Sequence, residues 1–319
     1  MKIIRRIKVP TGDICVVDGE KGKLEFVSLG DYGKDVNLNQ NKSVPDGLPL
    51  LPLEEKWVLT ISTQYGCSMG CVFCDVPMVG PGINATLTDM QQQIITGLHL
   101  HPEVEKSNRL NVHYARMGEP TWNPNVLDHA KWMKEHIDPE YKVHPVVSTI
   151  MPKNNEWLRT FIHTWMRIKN RTYGGNAGLQ LSINSTNDFE RSVIFNNSAL
   201  PLYKIARIFD DVVPVGRKIT LNFPVCKWEI SSEVLLRYFD PGMFLVKLTP
   251  MHKTTSAESC EYRTVGDYTR PEPYEYIAQD LRKAGYEVLV FIASREEDES
   301  MITCGNAILS GKEPSRIIV

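Results

Sequence analysis

The sequence predicts an α/β protein built as a partial barrel of about six parallel β/α units, preceded by a small β-rich N-terminal extension. Three observations lead to this prediction: the length of the chain, a period-two pattern near its start, and an alternation of strand-like and helix-like segments afterwards. With 319 residues, 42% of them hydrophobic, the chain can bury a large core. We therefore expect an extension and linker over residues 1–52 and one large domain over residues 53–319.

The extension is predicted from alternating apolar and polar positions on either side of the segment DGEKG at residues 18–22. This pattern is typical of short strands joined by a hairpin turn. A segment rich in Asn, Pro and Gly follows from Asn37 to Pro52 and is typical of a linker. The composition therefore changes where the main domain begins.

The main domain is predicted from six strand-like runs: WVLTIST, LNVHY, HPVVST, LQLSIN, ITLNFP and MFLVKL, with EVLVFIA as a further candidate. Helix signals lie between them. Thr88 and Gln91 form a possible capping box, and Pro271 opens a helical stretch that reaches Ala284-Gly285. In parallel β/α folds the functional loops follow the carboxyl ends of the strands, so we expect the site there.

The charge and the cysteine content limit the possible functions. A formal net charge of −2 gives no general attraction for polyanions, so nucleic acid would need a local basic patch. Two short clusters qualify, Lys2 with Arg5, Arg6 and Lys8, and Arg167 with Lys169 and Arg171. No run approaches the roughly 20 apolar residues of a membrane span, so we expect a cytoplasmic protein without a membrane partner. In a reducing compartment, seven cysteines predict metal or thiol chemistry.

Three of those cysteines, Cys67, Cys71 and Cys74, lie in the segment CSMGCVFC after the first strand of the main domain. Three thiolates on a four-iron cluster leave one iron without a protein ligand. Phe73 is placed to shield such a cluster. The alternative is a structural zinc site, which usually has four ligands and would need a distant cysteine or histidine.

Polar residues follow the later strands as well. Gly118 and Glu119 come after the second strand, where glycine lets the backbone approach a ligand and glutamate can bind an ammonium group. Ser148, Ser182 and His252 close the third, fourth and sixth strands. The alternative for the two serines is that they cap the helices that follow.

The cysteine segment resembles the CxxxCxxC motif of the radical S-adenosylmethionine superfamily, whose members share a partial or full β/α barrel. The resemblance implies two cofactors, a [4Fe–4S] cluster and S-adenosyl-L-methionine, and a one-electron donor such as flavodoxin or ferredoxin. Gly118 and Glu119 then match the motif that binds the cofactor's amino group. Ser148, Ser182 and His252 resemble positions that hold its ribose and carboxylate, although asparagine is expected at His252.

The segment SREEDESMITCGNAIL, which contains Cys304, resembles the C-terminal motif of the dual-cysteine (class A) ribosomal RNA adenosine methyltransferases. In that family the C-terminal cysteine accepts a methyl group, loses a hydrogen atom to the adenosyl radical, and adds the resulting carbon radical to an sp2 carbon of a nucleobase. The resemblance implies that Cys304 is the methyl carrier and that the substrate contains a nucleobase, with RNA as a candidate partner.

Two departures from that family affect the prediction. The second catalytic cysteine of the family, seven residues before the first cluster ligand, is replaced here by Thr60, whose hydroxyl cannot form the disulfide that releases product. Cys15, Cys226 and Cys260 are the possible substitutes, and Cys260 is preferred because its polar loop suggests exposure. The family's helical RNA-binding module is also replaced by the β-rich extension.

Two alternatives follow. The first keeps the cluster and S-adenosylmethionine but acts on a small molecule or nucleotide, giving a thioether, rearranged or oxidised product. The second is a non-catalytic zinc or iron–sulfur module that contacts nucleic acid. The second alternative leaves the Gly118-Glu119 motif and Cys304 unexplained, so the enzyme hypotheses are preferred.

Overall fold

A computed structural model describes residues 1–32, 50–264, 272–291 and 295–318, which form ten strands of one sheet, a two-stranded ribbon and the surrounding helices. Most of the expected linker and Pro271 lie outside these residues. The strands are β1 Lys2–Val9, β2 Gly12–Gly19, β3 Gly22–Leu29, β4 Trp57–Ile61, β5 Gln64–Gly66, β6 Pro81–Asn84, β7 Ser107–Tyr114, β8 Tyr141–Thr149, β9 Gly178–Ser182, β10 Ile219–Val225, β11 Phe244–Pro250 and β12 Glu287–Val290.

The predicted β-rich extension is confirmed as an antiparallel meander of β1, β2 and β3. Gly19 pairs with Gly22 across the predicted hairpin turn. The third strand then pairs antiparallel with β4, with Val27 opposite Thr60. The extension is therefore continuous with the sheet of the main body, and its strands cover one edge of that sheet.

The predicted parallel sheet is also confirmed, with the strand order β4-β7-β8-β9-β10-β11-β12. Each strand pairs parallel with its neighbour. The further candidate EVLVFIA supplies β12, so the parallel part has seven strands where six were expected. The strand order ends at β12 and does not return to β4, which makes the barrel partial.

Helices connect the parallel strands. The helices are α1 Leu87–Leu98, α2 Asn125–His136, α3 Leu158–Arg167, α4 Asp188–Ile194, α5 Leu202–Ile208, α6 Ser232–Leu236, α7 Thr255–Ser259, α8 Glu272–Lys283 and α9 Arg295–Glu299, with a π-helical segment at Ile168–Thr172 and 3-10 turns at Val76–Met78, Pro120–Trp122 and Ile308–Ser310. No helix within the described ranges is long and apolar enough to cross a membrane.

The predicted capping box at Thr88 and Gln91 is wrong by two residues. The observed box joins Thr86 and Asp89: the threonine hydroxyl accepts from the Asp89 amide at 3.0 Å, and the Asp89 carboxylate accepts from the Thr86 amide at 2.9 Å. Thr88 already lies inside the first turn of α1, where its backbone is helical and cannot serve as a cap.

Side chains alternate between the two faces of the parallel strands. Those that face the helices are fully buried apolar groups, such as Leu59, Val112 and Leu221. The inner face carries polar side chains that keep partial exposure, listed from β4 to β11 as Thr60, His113, Ser148, Gln180, Asn222 and Lys247. The lumen of the partial barrel is therefore a polar chamber at the foot of the strand-end loops.

Candidate active site

The cysteine loop starts just beyond the carboxyl end of β4. The ribbon of β5 and β6 brackets it, and the Cys67 amide donates to the Gly80 carbonyl at 3.2 Å. Within the loop, the Cys74 amide donates to the Cys71 carbonyl at 3.1 Å. This places the predicted cysteines in a closed loop at the mouth of the barrel, where parallel β/α folds carry their functional residues.

The three thiols lie in an environment that disfavours their free thiolates. Burial raises the pKa of Cys67 to about 12 and the pKa values of Cys71 and Cys74 well above the ordinary value. Repulsion among the three sulfurs adds to this effect. Thiolates here need an adjacent cation, and cluster irons supply that charge, so this donor set fits an iron–sulfur cluster.

A single-ion site is not what these side chains form. Among the residues that the structure describes, no three His, Cys, Asp or Glu side chains are close enough to enclose one metal ion. The cysteines interact with one another at longer range, through charge.

Asp75, which follows the third cysteine, ties the loop to the rest of the site. Its carboxylate accepts from the Thr255 amide at 2.9 Å and from the Ser256 amide at 2.8 Å, and the Ser256 hydroxyl donates at 2.7 Å. Its own amide donates to the Gly305 carbonyl at 2.8 Å. Sequence analysis missed Asp75, because its partners lie in segments far away along the chain.

The Gly118-Glu119 motif lies next to the cysteine loop at the end of β7. Gly118 has φ +102°, and a Cβ atom there would lie 2.6 Å from the Gln64 side chain. Only glycine allows this approach without strain. In return, the Gln64 side-chain oxygen accepts from the Glu119 amide at 2.9 Å and from the Ser68 amide at 3.3 Å. Gln64 therefore fixes the motif to the cysteine loop.

The Glu119 carboxylate is buried and held in one orientation. Its oxygens accept from the Thr121 hydroxyl at 2.7 Å, from the Thr121 amide at 3.1 Å and from the Ile150 amide at 3.0 Å. Burial raises its pKa, and these hydrogen bonds oppose that rise. It also interacts electrostatically with Cys67 and Cys71. The site therefore contains a fixed carboxylate beside the cysteines, able to bind an ammonium group.

The other predicted cofactor residues occupy the expected strand ends. Ser148 and Ser182 lie on the inner face of β8 and β9, and Gln180 donates to the Ser148 hydroxyl at 3.4 Å. His252 follows β11, and its Nδ1 lies 3.0 Å from the Asp298 carboxylate. Phe73 packs against Phe195 with ring centroids 6.2 Å apart, beside the cysteines as expected.

Several buried polar atoms around this chamber have no hydrogen-bond partner within the described part of the chain. They are the side-chain oxygens of Asn184 and Asn222 and the indole nitrogens of Trp122 and Trp228. Buried polar atoms are normally paired, so these four are available to a ligand. Asn222 lies on the inner face of β10, opposite Ser182 and Lys247 in the register. Its inward position in ITLNFP is the signal that could have identified it.

Cys304 lies against the cysteine loop, although it follows Gly118 by 186 positions in the sequence.

 The 185 intervening residues, 119–303, carry strands β8 to β12. Gly305 has φ +91°, and a Cβ atom there would lie 3.7 Å from the Cα of Cys74. The Cys304 side chain is exposed to the chamber, where desolvation raises its pKa while Lys247 and Arg116 lower it. The predicted methyl carrier and the predicted cluster ligands therefore meet at one place.

A buried ion pair holds the segment that carries Cys304. Arg116 donates to the Glu25 carboxylate at 2.8 and 3.0 Å and to the Met301 carbonyl at 2.9 Å. The second Glu25 oxygen accepts from the Leu309 amide at 2.5 Å. Glu25 belongs to β3, so the N-terminal extension fixes the C-terminal segment on both sides of Cys304. Sequence analysis found neither residue.

Thr60 and the three candidate substitute cysteines lie in different parts of the fold. Thr60 lies on the inner face of β4, opposite His113 in the register of β7. Cys15 and Cys226 are buried, whereas Cys260 is exposed, as expected, and its thiol lies 3.6 Å from the Val72 carbonyl of the cysteine loop. Its role as a resolving thiol stays a prediction.

The two basic clusters are partly neutralised. Arg5 forms a bidentate pair with Glu313, and Arg6 forms one with Asp13. Lys169 is buried and donates to the Val215 carbonyl. Each cluster still has two further exposed cations, Lys2 and Lys8 in the first and Arg167 and Arg171 in the second, so binding of nucleic acid there stays a prediction.

Comparisons with known proteins found similar sequences and a similar solved fold. No protein-family model matches the chain. The chain is similar to the dual-specificity RNA methyltransferase RlmN of Sorangium cellulosum, with 23% identity over 267 residues, which cover 80% of this chain and 62% of that protein. A shorter stretch of 115 residues is 34% identical to the ribosomal RNA large subunit methyltransferase Cfr of Lachnoclostridium phytofermentans, covering 36% of this chain and 28% of that protein.

The fold has a counterpart among solved structures. The chain aligns with a radical SAM methyltransferase from Sphaerobacter thermophilus with a TM-score of 0.68 and 20% identity, over 96% of this chain and 80% of that one. This likeness confirms the predicted fold class, a partial barrel of parallel β/α units. The chain spans about three fifths of the Sorangium relative's length, and a smaller share of the Lachnoclostridium one.

Proposed function

We propose that this protein is a radical S-adenosylmethionine methyltransferase that methylates an sp2 carbon of a nucleobase, with Cys304 as the methyl carrier. The observation that carries the proposal is the position of Cys304 beside the cysteine loop, with Glu119 in the same chamber. A cysteine that only packed would not need an exposed thiol there. The names of the relatives, which are RNA methyltransferases, favour a nucleobase within RNA.

Each residue has a defined part in this proposal. Cys67, Cys71 and Cys74 would hold a [4Fe–4S] cluster, and Glu119 would bind the amino group of S-adenosyl-L-methionine. When bound and reduced by a donor such as flavodoxin or ferredoxin, this pair supplies a carbon-centred radical from S-adenosylmethionine. Ser148, Ser182 and the unpaired Asn222 oxygen are available to its ribose and carboxylate.

Cys304 would accept the methyl group as its thiolate, because the thiolate is the nucleophilic form of cysteine. Burial raises the pKa of the Cys304 thiol, and the charges of Lys247 and Arg116 partly oppose that rise. The Glu25–Arg116 pair keeps the segment in place while the side chain remains exposed. The chain therefore provides an exposed thiol on a fixed backbone.

A second candidate keeps the cofactors and changes the substrate and product. Thr60 lies on the chamber wall beside His113, where the family has a thiol, and the two basic clusters are partly paired or buried. These observations favour a small molecule or nucleotide as substrate and a thioether, rearranged or oxidised product. Turnover that persists in Cys304→Ala would support this candidate over the first.

The test is anaerobic reconstitution with iron and sulfide, followed by reductant and S-adenosylmethionine, with 5′-deoxyadenosine as the readout. Wild-type protein should bind iron and sulfide and form 5′-deoxyadenosine. The variant Cys71→Ala should do neither, whereas Cys15→Ala, which changes a thiol outside the loop, should do both. A colourless zinc-loaded protein that forms no 5′-deoxyadenosine would contradict the proposal and favour the non-catalytic module.

A further inference from the structure

We propose that the lumen of the barrel binds a phosphate group of the substrate through Arg109, Arg217 and Lys247. This inference rests on the proposed function, because it identifies the substrate as a nucleotide whose base reaches Cys304 while its phosphate lies deeper in the barrel. None of these three cations is a proposed ligand of the cluster or of S-adenosylmethionine.

The basic side chains run along the inner wall from the amino-terminal mouth of the barrel to the site. Arg109 is the third residue of β7, and Arg217 precedes β10 by two residues. Lys56 immediately precedes β4. Lys247 lies in the middle of β11, where it interacts with Cys304 through charge. The cysteine loop follows the carboxyl ends of the strands. Most of these cations therefore lie at the end of the barrel opposite to the cysteine loop.

His113 reports how close together these cations are. Its pKa is lowered to about 3, mainly by burial and also by the charges of four cations: Lys247, Arg217, Lys56 and Arg109. Coulomb interactions weaken with distance, so each of the four cations lies within electrostatic range of His113. Each of these side chains keeps partial exposure to solvent.

The cations exceed the carboxylates that face them. Asp31 pairs with Lys56 at 2.6 Å and also attracts Arg109 and Lys247. In the segments that the structure describes, Arg217 contacts the Asn176 carbonyl at 3.3 Å and Lys247 lies 5.0 Å from the centre of the Phe291 ring, and neither forms an ion pair. Repulsion between Arg109 and Arg217 is itself unfavourable. An anion between them would offset that repulsion.

The backbone leaves room for the guanidinium group at this place. Gly178 lies on the inner face of β9, and a Cβ atom there would be 3.2 Å from an Arg217 nitrogen. A larger side chain at this position would crowd Arg217. The glycine therefore leaves room for the Arg217 guanidinium beside β9.

The spacing of two side chains along β7 fits a nucleotide. His113 lies four positions after Arg109, which is about 13 Å along an extended strand. A base beside His113, Thr60 and Cys304 would therefore place its 5′-phosphate near Arg109 and Arg217. Arginine pairs with phosphate through two parallel hydrogen bonds, which makes phosphate a better match than a single carboxylate for two arginines and a lysine.

The experiment measures phosphate binding to the anaerobically purified holoenzyme without reductant or S-adenosylmethionine. Inorganic phosphate is titrated at constant ionic strength, and the thermal midpoint is followed, because a ligand of the folded state raises it. Arg217→Gln and Lys247→Met remove one lumen cation each. Lys204→Gln, which removes an exposed cation from α5, is the matched control.

We expect phosphate to raise the midpoint of wild type and Lys204→Gln alike, and its apparent affinity to fall roughly tenfold in each lumen variant, as for loss of one charged hydrogen-bonding partner. Without phosphate, both lumen variants should melt no lower than wild type, because each removes like-charge repulsion. An equal phosphate effect in all four proteins would overturn the inference. Because no radical forms in this titration, its failure is distinct from failure of the proposed function.

Competition then identifies the source of the phosphate. Adenosine 5′-monophosphate is compared with adenosine and with a short single-stranded RNA that lacks terminal phosphates. Competition by the monophosphate and not by the RNA indicates a free nucleotide, whereas competition by the RNA indicates a phosphodiester within a strand. Phosphate binding that none of these compounds displaces would contradict the assignment to substrate.

Discussion

At the scale of single residues, a buried ion pair between Glu25 and Arg116 positions the segment that carries Cys304. Glu25 and Arg116 are both nearly inaccessible to solvent. Removing one partner of such a pair leaves a buried charge without compensation. Their bonds to Met301 and Leu309 also fix the backbone on each side of Cys304.

We therefore expect Arg116→Met to lower the free energy of unfolding by about 3–5 kcal/mol, since Glu25 would remain buried and unpaired. Arg116→Met combined with Glu25→Gln should recover part of that loss. Chemical denaturation of the two single variants and the double variant measures the coupling. Single-variant losses that simply add would contradict a direct interaction.

The same variants separate positioning from catalysis. The folded double variant should bind iron and sulfide and form 5′-deoxyadenosine like wild type, while methylation of Cys304 slows. Slower formation of both products in equal proportion would indicate a general structural defect instead.

His129 gives a second prediction at this scale. It is buried, its ring nitrogen lies 2.8 Å from the Tyr114 hydroxyl, and burial lowers its pKa from 6.5 to about 3. The unfolded chain therefore takes up a proton below pH 6.5 while the folded protein does not, so the stability due to neutral His129 is present above that pH and is lost as the pH falls.

From His129 alone we expect the free energy of unfolding to be about 2 kcal/mol lower at pH 5 than at pH 7. Denaturation across this range should have a smaller pH dependence in His129→Phe than in wild type. An identical pH dependence in both proteins would rule out this contribution.

At the scale of elements, the cysteine loop is held by the segments on either side of it in space. Asp75 bonds to the start of α7 and to Gly305, and Gln64 bonds to Ser68 and Glu119. A loop that must present three sulfurs to one cluster gains from such fixed ends, because ordering the loop beforehand lowers the entropy cost of binding.

Asp75→Asn should weaken that support. The side-chain NH2 group of the new asparagine would face the backbone amides of Thr255 and Ser256, which are also donors. A buried donor left without an acceptor lowers the free energy of unfolding by about 1–3 kcal/mol. We expect lower iron and sulfide content after reconstitution and faster loss of the cluster in air. Asp128→Asn, which changes an exposed carboxylate on α2, should behave like wild type.

The elements also indicate what the sequence could predict. All six proposed parallel strands and the hairpin around residues 18–22 were identified, because alternating burial leaves a period-two pattern. The cap of α1 was misplaced, since Thr86 and Thr88 are both suitable caps and only the backbone conformation distinguishes them. The continuation of the extension into the main sheet depends on pairing between β3 and β4, which no local pattern records.

At the scale of the whole molecule, the fold brings residues from both ends of the chain to one chamber. The cysteine loop and Gly118-Glu119 could be found from sequence because each is a short motif after a strand. Asp75, Gln64, Glu25 and Arg116 could not, because their partners are distant in sequence. The lumen cations could not be found for the same reason. Arg109, Arg217 and Lys247 are far apart in the sequence and share the lumen only in the folded sheet.

The central claim is that Cys304 carries the methyl group. The most direct measurement is mass spectrometry of the Cys304 peptide after the anaerobic holoenzyme is incubated with reductant and methyl-labelled S-adenosylmethionine, with 5′-deoxyadenosine measured in the same sample. The account predicts that the Cys304 peptide gains one labelled methyl group while the Cys260 peptide does not, and that 5′-deoxyadenosine forms. 5′-Deoxyadenosine without any label on Cys304 would contradict the claim and leave a radical enzyme of a different outcome.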